Sequence, residues 1–397
     1  MENMTNYLKK RFPHICFRRS WELSNDVYFK LGQCYAVVES LKYLPLAPEV
    51  RRKMLNVSLI KGAQATTAIE GNTLSEEEIK QINNGATLPE SRKYLETEVK
   101  NIIDALNHIF QDVVRGNHAV MVTPQLICAL HKQVGQNLGE SFVAVPGQFR
   151  KHNVHVASYV APEYQYVDQM MDMFCRWLSN EFQFDSHRKQ NFISCILEAI
   201  ISHVYIAWIH PFGDGNGRTA RLLEFYILLR GGLPNICSHI LSNHYNQTRS
   251  EYYRQLEVAG RERDLTKFIE YAVQGMLDGL MDVLWNAQKH QMSGAWHNYI
   301  YEVLDHQKIA NRDRRKRLCN LLKKIDIFTD YTQKEMVRTS VDIAMIYGKK
   351  SERVLTRDLN FLVEAGLLKK ENGNFSANLQ VLVDRLPERR SVQDQPE

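Results

Sequence analysis

The sequence predicts an all-α protein that is interrupted by two short β-hairpins. Its 397 residues include only 11 Pro and 20 Gly, so few positions break a helix. Apolar residues recur at three- and four-residue steps along most of the chain, and alternating runs typical of strands are short. At this length we expect about two or three domains, each large enough to bury a core.

Composition excludes a disordered chain, because 44% of the residues are hydrophobic and 24% are charged. A net charge of +5 is too small to indicate nucleic-acid binding by itself. The seven cysteines are scattered without a CxxC pair, which favours a reducing, cytoplasmic location. No signal-like stretch follows Met1, and Glu198 and His203 interrupt the most apolar segment, 195–209. We therefore expect no membrane span.

Long amphipathic helices are expected from Glu22 to about Ile109, with Ser75 as the cap of one of them. Pro124 opens the next helix. Between Ser141 and Pro162 the apolar residues alternate instead, which predicts a short hairpin or flap.

Further helices are expected from Tyr166 to Asn180, from about Ile193 to Ile209, and from about Gly217 to Leu229, with more reaching about Lys289.

The end of the chain predicts a winged helix-turn-helix. A basic run covers Lys308 to Lys324, and 341–368 has a helix–turn–helix pattern. A hairpin follows around Asn372-Gly373, a favoured two-residue turn. The predicted parts are an N-terminal helical region, a central domain, the winged helix and a polar tail, at 1–114, 115–288, 289–386 and 387–397.

One segment, His210 to Arg221, combines groups suited to phosphate chemistry. Its glycines let backbone amides form an anion-binding concavity at the start of a helix. Arg218 and Arg221 share the first turns of that helix and can bind a polyphosphate. Asp214 suits a Mg²⁺ ion that bridges a nucleotide, and His210 can take a proton. This combination predicts a phosphoryl- or nucleotidyl-transfer site.

The segment resembles the Fic family signature HxFx[DE]GNxRxxR and matches every specified position. The resemblance implies a Fic helical core at 115–288 that transfers AMP from ATP to a Tyr, Ser or Thr hydroxyl of a protein. It implies that His210 deprotonates this hydroxyl, that Phe212 anchors the loop, and that Asp214 holds Mg²⁺ between the α- and β-phosphates.

The resemblance also implies an ATP site. Asn216 and the neighbouring amides hold the phosphates in this interpretation, and the two arginines bind the β- and γ-phosphates. The implied residues are Val154, His155, Val156, Ala157, Asp214, Gly215, Asn216, Gly217, Arg218, Thr219, Ala220, Arg221, Tyr252 and Tyr253.

The first four of these residues belong to a segment that resembles the Fic hairpin, which aligns a target by strand addition. Ala157 departs from the family, which often has Gly there. Tyr252 and Tyr253 resemble the adenine wall, although Gly260 stands where relatives often have Asn.

Thr66, Glu70 and Gly71 fit the family's inhibitory motif [ST]xxxE[GN]. Thr66 and Glu70 share a helix face, and Gly71 is a natural helix stop. The resemblance implies an inhibitory helix at about 62–71, in which Glu70 pairs with Arg221 and blocks the γ-phosphate.

Two alternatives remain at this level. The same site could remove AMP or transfer another nucleotide. The chain could instead be a winged-helix transcription regulator with a nucleotide-sensing Fic core, binding DNA through Arg353 and Arg357. The expected partner is a protein substrate, including the chain itself. A homodimer and a C-terminal domain that binds protein both stay open.

Overall fold

The computed structural model describes residues 2–115, 120–156, 159–183, 191–237, 239–307 and 309–384. Ala157, Lys308 and the tail at 387–397 lie outside the described residues. The chain divides into two compact units, Met1–Trp285 and Asn286–Glu397. The predicted region 1–114 and all but the last three residues of the predicted central domain, 115–288, share the first unit.

The first unit begins with five helices whose starts follow local chemistry. Ser24 caps the helix that begins at Asn25, Pro48 opens the next helix, and Ser75 and Glu78 form a capping box on the helix that begins at Glu76. The helices are α1 Glu2–Arg11, α2 Asn25–Tyr43, α3 Pro48–Ala68, α4 Glu76–Asn83 and α5 Lys93–Phe110, and a π-helical turn, Gln111–Arg115, follows α5.

The proposed inhibitory segment is the end of a long helix rather than a short helix of its own. Helix α3 contains Thr66 and ends at Ala68, so Glu70 lies in the turn that follows. Gly71 has a φ of +101°, the left-handed conformation of a helix stop. Helix α3 packs against α5 and against two later helices, α9 (Asn216–Arg230) and α10 (Ile240–Gln247), which brings the turn that follows it beside α9.

The centre of the first unit is α8 (Phe192–Ile209), which packs along α9. The elements after α5 are α6 Pro124–Gly135, β1 His155–Val156, β2 Tyr159–Val160, α7 Val167–Phe182, α8 Phe192–Ile209, α9 Asn216–Arg230, α10 Ile240–Gln247, α11 Arg249–Glu262 and α12 Thr266–His306. Strands β1 and β2 form the expected hairpin, with Val156 opposite Tyr159. Helix α12 continues past Lys289, where we expected helices to end.

Helix α8 is long and apolar enough to cross a membrane by length and composition, contrary to the expectation from its polar residues. However, 78% of it is buried inside the protein. Glu198 and His203 lie within this buried surface. The helix is therefore packed as the core of its own domain.

The second unit has the predicted order of helices and hairpin. Its elements are α13 Arg312–Lys324, α14 Gln333–Met336, α15 Val341–Gly348, α16 Glu352–Glu364, β3 Leu368–Glu371, β4 Asn374–Ala377 and α17 Gln380–Val383. Strands β3 and β4 are antiparallel, and Asn372 and Gly373 between them have φ angles of 48° and 85°. Both angles suit the two-residue turn expected there.

Candidate active site

The loop between α8 and α9 is shaped by two left-handed residues. His210 ends α8 with a φ of 51° and donates its backbone N–H to Ile206 O at 2.9 Å. Gly215 has a φ of 75° and precedes the first residue of α9. A non-glycine residue with positive φ is uncommon and marks a constrained position. The loop therefore holds His210 next to the N-terminus of α9.

Asn216 closes this loop on itself. Its Nδ2 donates to Phe212 O, and its Oδ1 accepts from Phe212 N–H, each at 2.9 Å. Phe212 is fully buried, so it anchors the loop in the core. The amide of Asn216 is thus engaged with the loop backbone in this structure, and its expected role on a phosphate stays a prediction.

His131 on α6 is a site residue that sequence reasoning missed. Its ring stacks on Phe212 with the centroids 3.6 Å apart. Nδ1 accepts from Gly147 N–H and Nε2 contacts Asp214 O, each at 3.0 Å. Since Nδ1 accepts, the proton resides on Nε2 and is donated to Asp214 O. Burial lowers the pKa of His131 to about 4, so a neutral imidazole holds the loop near pH 7.

The N-terminus of α9 is an anion-binding site by its geometry. Gly215 supplies no side-chain cap, and the first turn of a helix carries unpaired N–H groups and a partial positive charge. Arg221 lies one turn further on and is buried. Its Nη2 donates to Thr66 O at 2.8 Å. Its Nε and Nη1 have no hydrogen-bond partner among the described residues.

Glu70 brings a carboxylate to this anion-binding site. Its Oε1 accepts from Arg221 Nη2 at 2.6 Å. A Cβ added to Gly217 would lie 2.1 Å from the same oxygen, so the carboxylate lies directly against the backbone of the first turn of α9. Burial opposes the ionisation of Glu70, but the charge of Arg221 and its hydrogen bond outweigh burial and lower the pKa of Glu70.

Arg218 is held by two carboxylates. It pairs with Glu98 through Nη1 and with Asp214 Oδ1 through Nη2, the latter at 2.7 Å. Glu98 in turn accepts from Asn72 Nδ2 at 2.6 Å. Glu98 and Asn72 are both buried. This network links Arg218 to the segment that follows Glu70 and Gly71.

The side chain of His210 is prepared to accept a proton. Its Nδ1 lies 3.4 Å from Ala207 O. Because a carbonyl only accepts, this contact favours the proton on Nδ1 and leaves the lone pair on Nε2. Burial, the largest cause, lowers the pKa of His210 to about 4. The ring is therefore neutral near pH 7 and can act as a general base.

Arg150 connects the flap to the catalytic loop. Its Nε donates to His210 O at 2.8 Å and its Nη1 to His152 O at 2.9 Å, and its Nη2 donates to Pro162 O. The carbonyls of His152 and Pro162 lie just before and just after the hairpin in the sequence. One buried guanidinium therefore fixes both ends of the flap relative to His210.

The structure distributes the remaining predicted residues over three places. In the hairpin, Val154 is half-buried and His155 and Val156 are exposed. Thr219 and Ala220 are buried within α9. On α11 the buried Tyr252 bonds His203 Nε2 through its hydroxyl at 2.9 Å, and the exposed Tyr253 places its hydroxyl 3.5 Å from Ile69 O, beside the Glu70 turn.

The described residues contain no group of three or more His, Cys, Asp or Glu side chains that could hold a metal ion. Asp214 carries a carboxylate beside the anion-binding site, in addition to that of Glu70. Gly215 N–H and Arg218 Nη2 both donate to Asp214 Oδ1. Oδ2 is thus available as a single oxygen ligand.

The fold and this site define a class: an all-α domain in which a histidine-bearing loop leads into an uncapped, arginine-rich helix N-terminus. Comparison with known proteins points in the same direction as this geometry. Residues 121–228 match the Fic/DOC family.

Relatives and solved structures give similar matches. The chain is 31% identical over 226 residues to the protein adenylyltransferase fic-1 of Caenorhabditis briggsae, covering 56% of this chain and 41% of that protein. The C. elegans protein of the same name is 30% identical over 224 residues, with the same coverage. The chain therefore spans about two fifths of the length of these relatives.

Among solved structures, a Fic family protein from Desulfovibrio desulfuricans G20 aligns with a TM-score of 0.56 at 18% identity, covering 91% of this chain and 98% of that one. A fragment of C. elegans Fic-1 aligns with a TM-score of 0.54 at 24% identity, over 66% of this chain and 73% of the fragment. These two likenesses show the fold, which is the expected Fic helical core.

Proposed function

We propose that this chain transfers AMP from ATP to a hydroxyl side chain of a protein and that Glu70 restrains the transfer. The observation that carries the proposal is the buried Arg221 guanidinium, with Nε and Nη1 unpaired among the described residues, beside the uncapped N-terminus of α9. Buried donors without acceptors are rare in folded proteins and call for an explanation. The oxygens of a bound triphosphate would supply the missing acceptors.

The similarity to proteins named adenylyltransferases supports ATP as the substrate that brings this triphosphate. In the proposed complex, the amides at the start of α9 and the two arginines bind phosphate oxygens. Donors already in place where charge develops at the α-phosphorus stabilise the transition state without reorganisation. The close approach of Glu70 to Gly217 supports this geometry, because an anionic oxygen already fits against that backbone.

The residues fit a Mg²⁺ ion delivered with the nucleotide. Mg²⁺ in nucleotide sites commonly takes one or two carboxylates together with phosphate oxygens and water. Asp214 has one carboxylate oxygen that is not used in its bonds to Gly215 and Arg218. Asp214 would hold the ion, which neutralises phosphate charge when bound.

His210 is the proposed base. Its Nε2 removes the proton from the target hydroxyl as the hydroxyl oxygen forms a bond to the α-phosphorus. The bond between the α-phosphorus and the bridging oxygen breaks, and pyrophosphate leaves with the electron pair. A neutral imidazole with a pKa lowered to about 4 is in the accepting form throughout the neutral range.

Glu70 is the proposed restraint. Its carboxylate competes with a phosphate for Arg221 Nη2 and for the space against Gly217. A γ-phosphate excluded from this place would leave the nucleotide misaligned for attack at its α-phosphorus. Displacing the turn that carries Glu70 would restore the phosphate position.

The hairpin is proposed to align the target. Val156 and Val160 are exposed with 38% and 52% of their surface accessible, and a two-residue strand can pair with an extended segment. A Tyr, Ser or Thr of another protein, or of this chain, would present the hydroxyl. A cytoplasmic location and a homodimer are proposals that rest on the sequence alone.

The test uses ATP labelled on either the α- or the γ-phosphate, with Mg²⁺, the full chain and its Glu70→Gly variant. We expect label from the α-phosphate in the protein, more with Glu70→Gly, and none from the γ-phosphate. His210→Ala in the Glu70→Gly background should abolish incorporation and retain ATP binding. The matched control is Glu76→Gly, which removes an exposed glutamate at the start of α4.

Other outcomes would overturn the proposal in distinct ways. Transfer of γ-label would indicate phosphorylation. ATP binding by Glu70→Gly without any incorporation into this chain or into lysate proteins would favour a nucleotide sensor. Release of AMP from modified protein, with no forward transfer, would favour AMP removal by the same site.

A further inference from the structure

Helix α16 in the second unit has one face fixed by a buried carboxylate. Asp358 is fully buried and accepts hydrogen bonds from Arg314 Nε at 3.0 Å and from Arg317 Nε at 2.8 Å. The hydroxyl of Tyr347 on α15 lies 3.3 Å from the same carboxylate. Asp358 therefore ties α16 to both α13 and α15.

Most of the basic residues at the start of α13 take part in these internal contacts. Arg314 and Arg317 neutralise Asp358, and Arg315 pairs with Asp305. Three of the five basic residues from Arg312 to Arg317 are thus engaged with carboxylates inside this unit. They position α16 rather than forming a free cationic surface.

The opposite face of α16 is polar and cationic. Arg353, Arg357 and Asn360 are exposed and follow one another at four- and three-residue steps, so they form one stripe. Among the described residues, neither arginine has a hydrogen bond or ion pair. An uncompensated arginine pair on a helix held rigid from its other side suits an anionic partner.

Further cations flank this stripe. Lys349 and Lys350 lie in the turn before α16, and Lys369 lies on β3 of the hairpin, all exposed. Glu352 and Glu364 are exposed at the two ends of α16 and oppose this charge. Between residues 309 and 384 the chain has 15 Lys and Arg against 10 Asp and Glu, so the balance is positive.

We propose that this surface binds duplex DNA, with α16 in the major groove. The major groove admits an α-helix, Arg pairs with guanine edges and Asn with adenine edges. Arg353, Arg357 and Asn360 would face the bases, and Lys349, Lys350 and Lys369 would contact phosphates. The inference rests on the second unit and is independent of the chemistry at His210.

The experiment measures anisotropy of a fluorescent mixed-sequence duplex of about 25 base pairs, long enough for two helical turns, titrated with the full chain at several salt concentrations. We expect binding that weakens as salt rises. The double variant Arg353→Ala/Arg357→Ala should bind at least about tenfold more weakly, because two contacts to base edges are lost.

The matched control is Arg312→Ala/Lys316→Ala, which removes the same charge from exposed positions of α13, on the side away from Arg314 and Arg317. It should keep most of the binding. Circular dichroism melting checks that both double variants fold. Equal loss in the two variants, or no binding by the parent at low salt, would overturn the proposal. The parent could also self-associate without binding DNA. If only Arg353→Ala/Arg357→Ala abolished that self-association, the surface would be assigned to protein contact.

Discussion

Glu70 Oε1 and Arg221 Nη2 lie 2.6 Å apart, and this ion pair fills the position where the first turn of α9 would bind an anion. Arg221 has only 1% of its side chain accessible, whereas Glu70 has 31%. The cation is thus a fixed part of the core, and the carboxylate approaches it from a turn at the surface. A buried cation with a removable partner is a suitable element for a switch.

The first prediction concerns stability and its recovery by nucleotide. Glu70→Gly leaves the buried Arg221 with Thr66 O as its remaining partner. Breaking a buried ion pair costs about 3–5 kcal/mol, and because Glu70 is partly solvated we expect about 1–2 kcal/mol lower free energy of unfolding. ATP with Mg²⁺ should raise the melting temperature of the variant more than that of the parent.

Differential scanning fluorimetry with and without nucleotide measures both effects. Glu76→Gly controls for introducing a glycine near a helix end. An ATP-induced shift that is no larger in Glu70→Gly than in the parent would contradict competition between the carboxylate and a phosphate.

The second prediction concerns Asn72, which holds the inhibitory turn from its other side. Its Nδ2 donates to Glu98 and to Leu95 O, and its Oδ1 accepts from Leu74 N–H. Asn72→Ala leaves Glu98 with Arg218 as its remaining partner and should cost about 1–3 kcal/mol of folding stability. Because the turn is loosened while Glu70 stays, self-modification should rise, but less than with Glu70→Gly.

Incorporation of α-labelled ATP by the two single variants and the double variant measures this effect. In the double variant we expect no rise beyond that of Glu70→Gly, because both changes act on one turn. An increase in Asn72→Ala that simply adds to that of Glu70→Gly would show that Asn72 acts elsewhere.

Local pattern was enough to predict much of this fold. The Ser75 cap located the start of α4, and three- and four-residue apolar steps located α7, α8 and α9. Asn372-Gly373 located the second hairpin. The glycine-rich loop could be predicted as an anion site because its glycines, arginines and helix start are neighbours in sequence. The extent of α12 could not be predicted, since its three glycines do not interrupt it and residues 280–293, where one unit ends and the next begins, contain no Pro or Gly.

Residues that act through distant partners were not predictable in the same way. His131 lies on a buried helix face, where a lone histidine carries no motif, and its role depends on Asp214 and Gly147. Glu98 is 120 positions from Arg218, which it holds. Such contacts follow from helix packing, and helix spacing within one segment does not encode them.

The third prediction concerns the Arg150 connection between flap and loop. Arg150→Lys keeps the charge but loses the planar fork that reaches three carbonyls. The flap should then shift relative to His210, and a displacement of about 1 Å can cost a factor of roughly 100 in rate. In the Glu70→Gly background we expect kcat/KM for a protein target to fall by about 10- to 100-fold.

ATP affinity separates positioning from general damage to the site. Since none of the Arg150 bonds reaches α9, the Kd for ATP should change by less than about twofold. The control is Lys151→Met at the exposed neighbouring position, which should leave both quantities unchanged. Parallel losses in ATP binding and transfer would show that Arg150 supports the whole loop rather than the flap.

The fourth prediction concerns pH. Burial lowers the pKa of His210 to about 4 from an ordinary 6.5, and a base works in its unprotonated form. In the Glu70→Gly variant, kcat/KM should therefore stay flat from about pH 8 to about pH 6 and lose activity only as the pH nears the lowered pKa. The charge of Glu70 raises the pKa of His210. Its removal can therefore only lower this pKa further, and the pH at which activity is lost should not rise.

Stability must be followed over the same range, because buried neutral histidines also affect folding. His131 has a pKa lowered to about 4 by burial, as His210 does. The unfolded chain binds more protons than the folded one between about pH 4 and 6.5, so their contribution to stability is complete above 6.5 and declines below it. Initial rates divided by the folded fraction isolate the catalytic titration. An acid limb centred near 6.5 in those corrected rates would show that the His210 ring is solvated in the working enzyme.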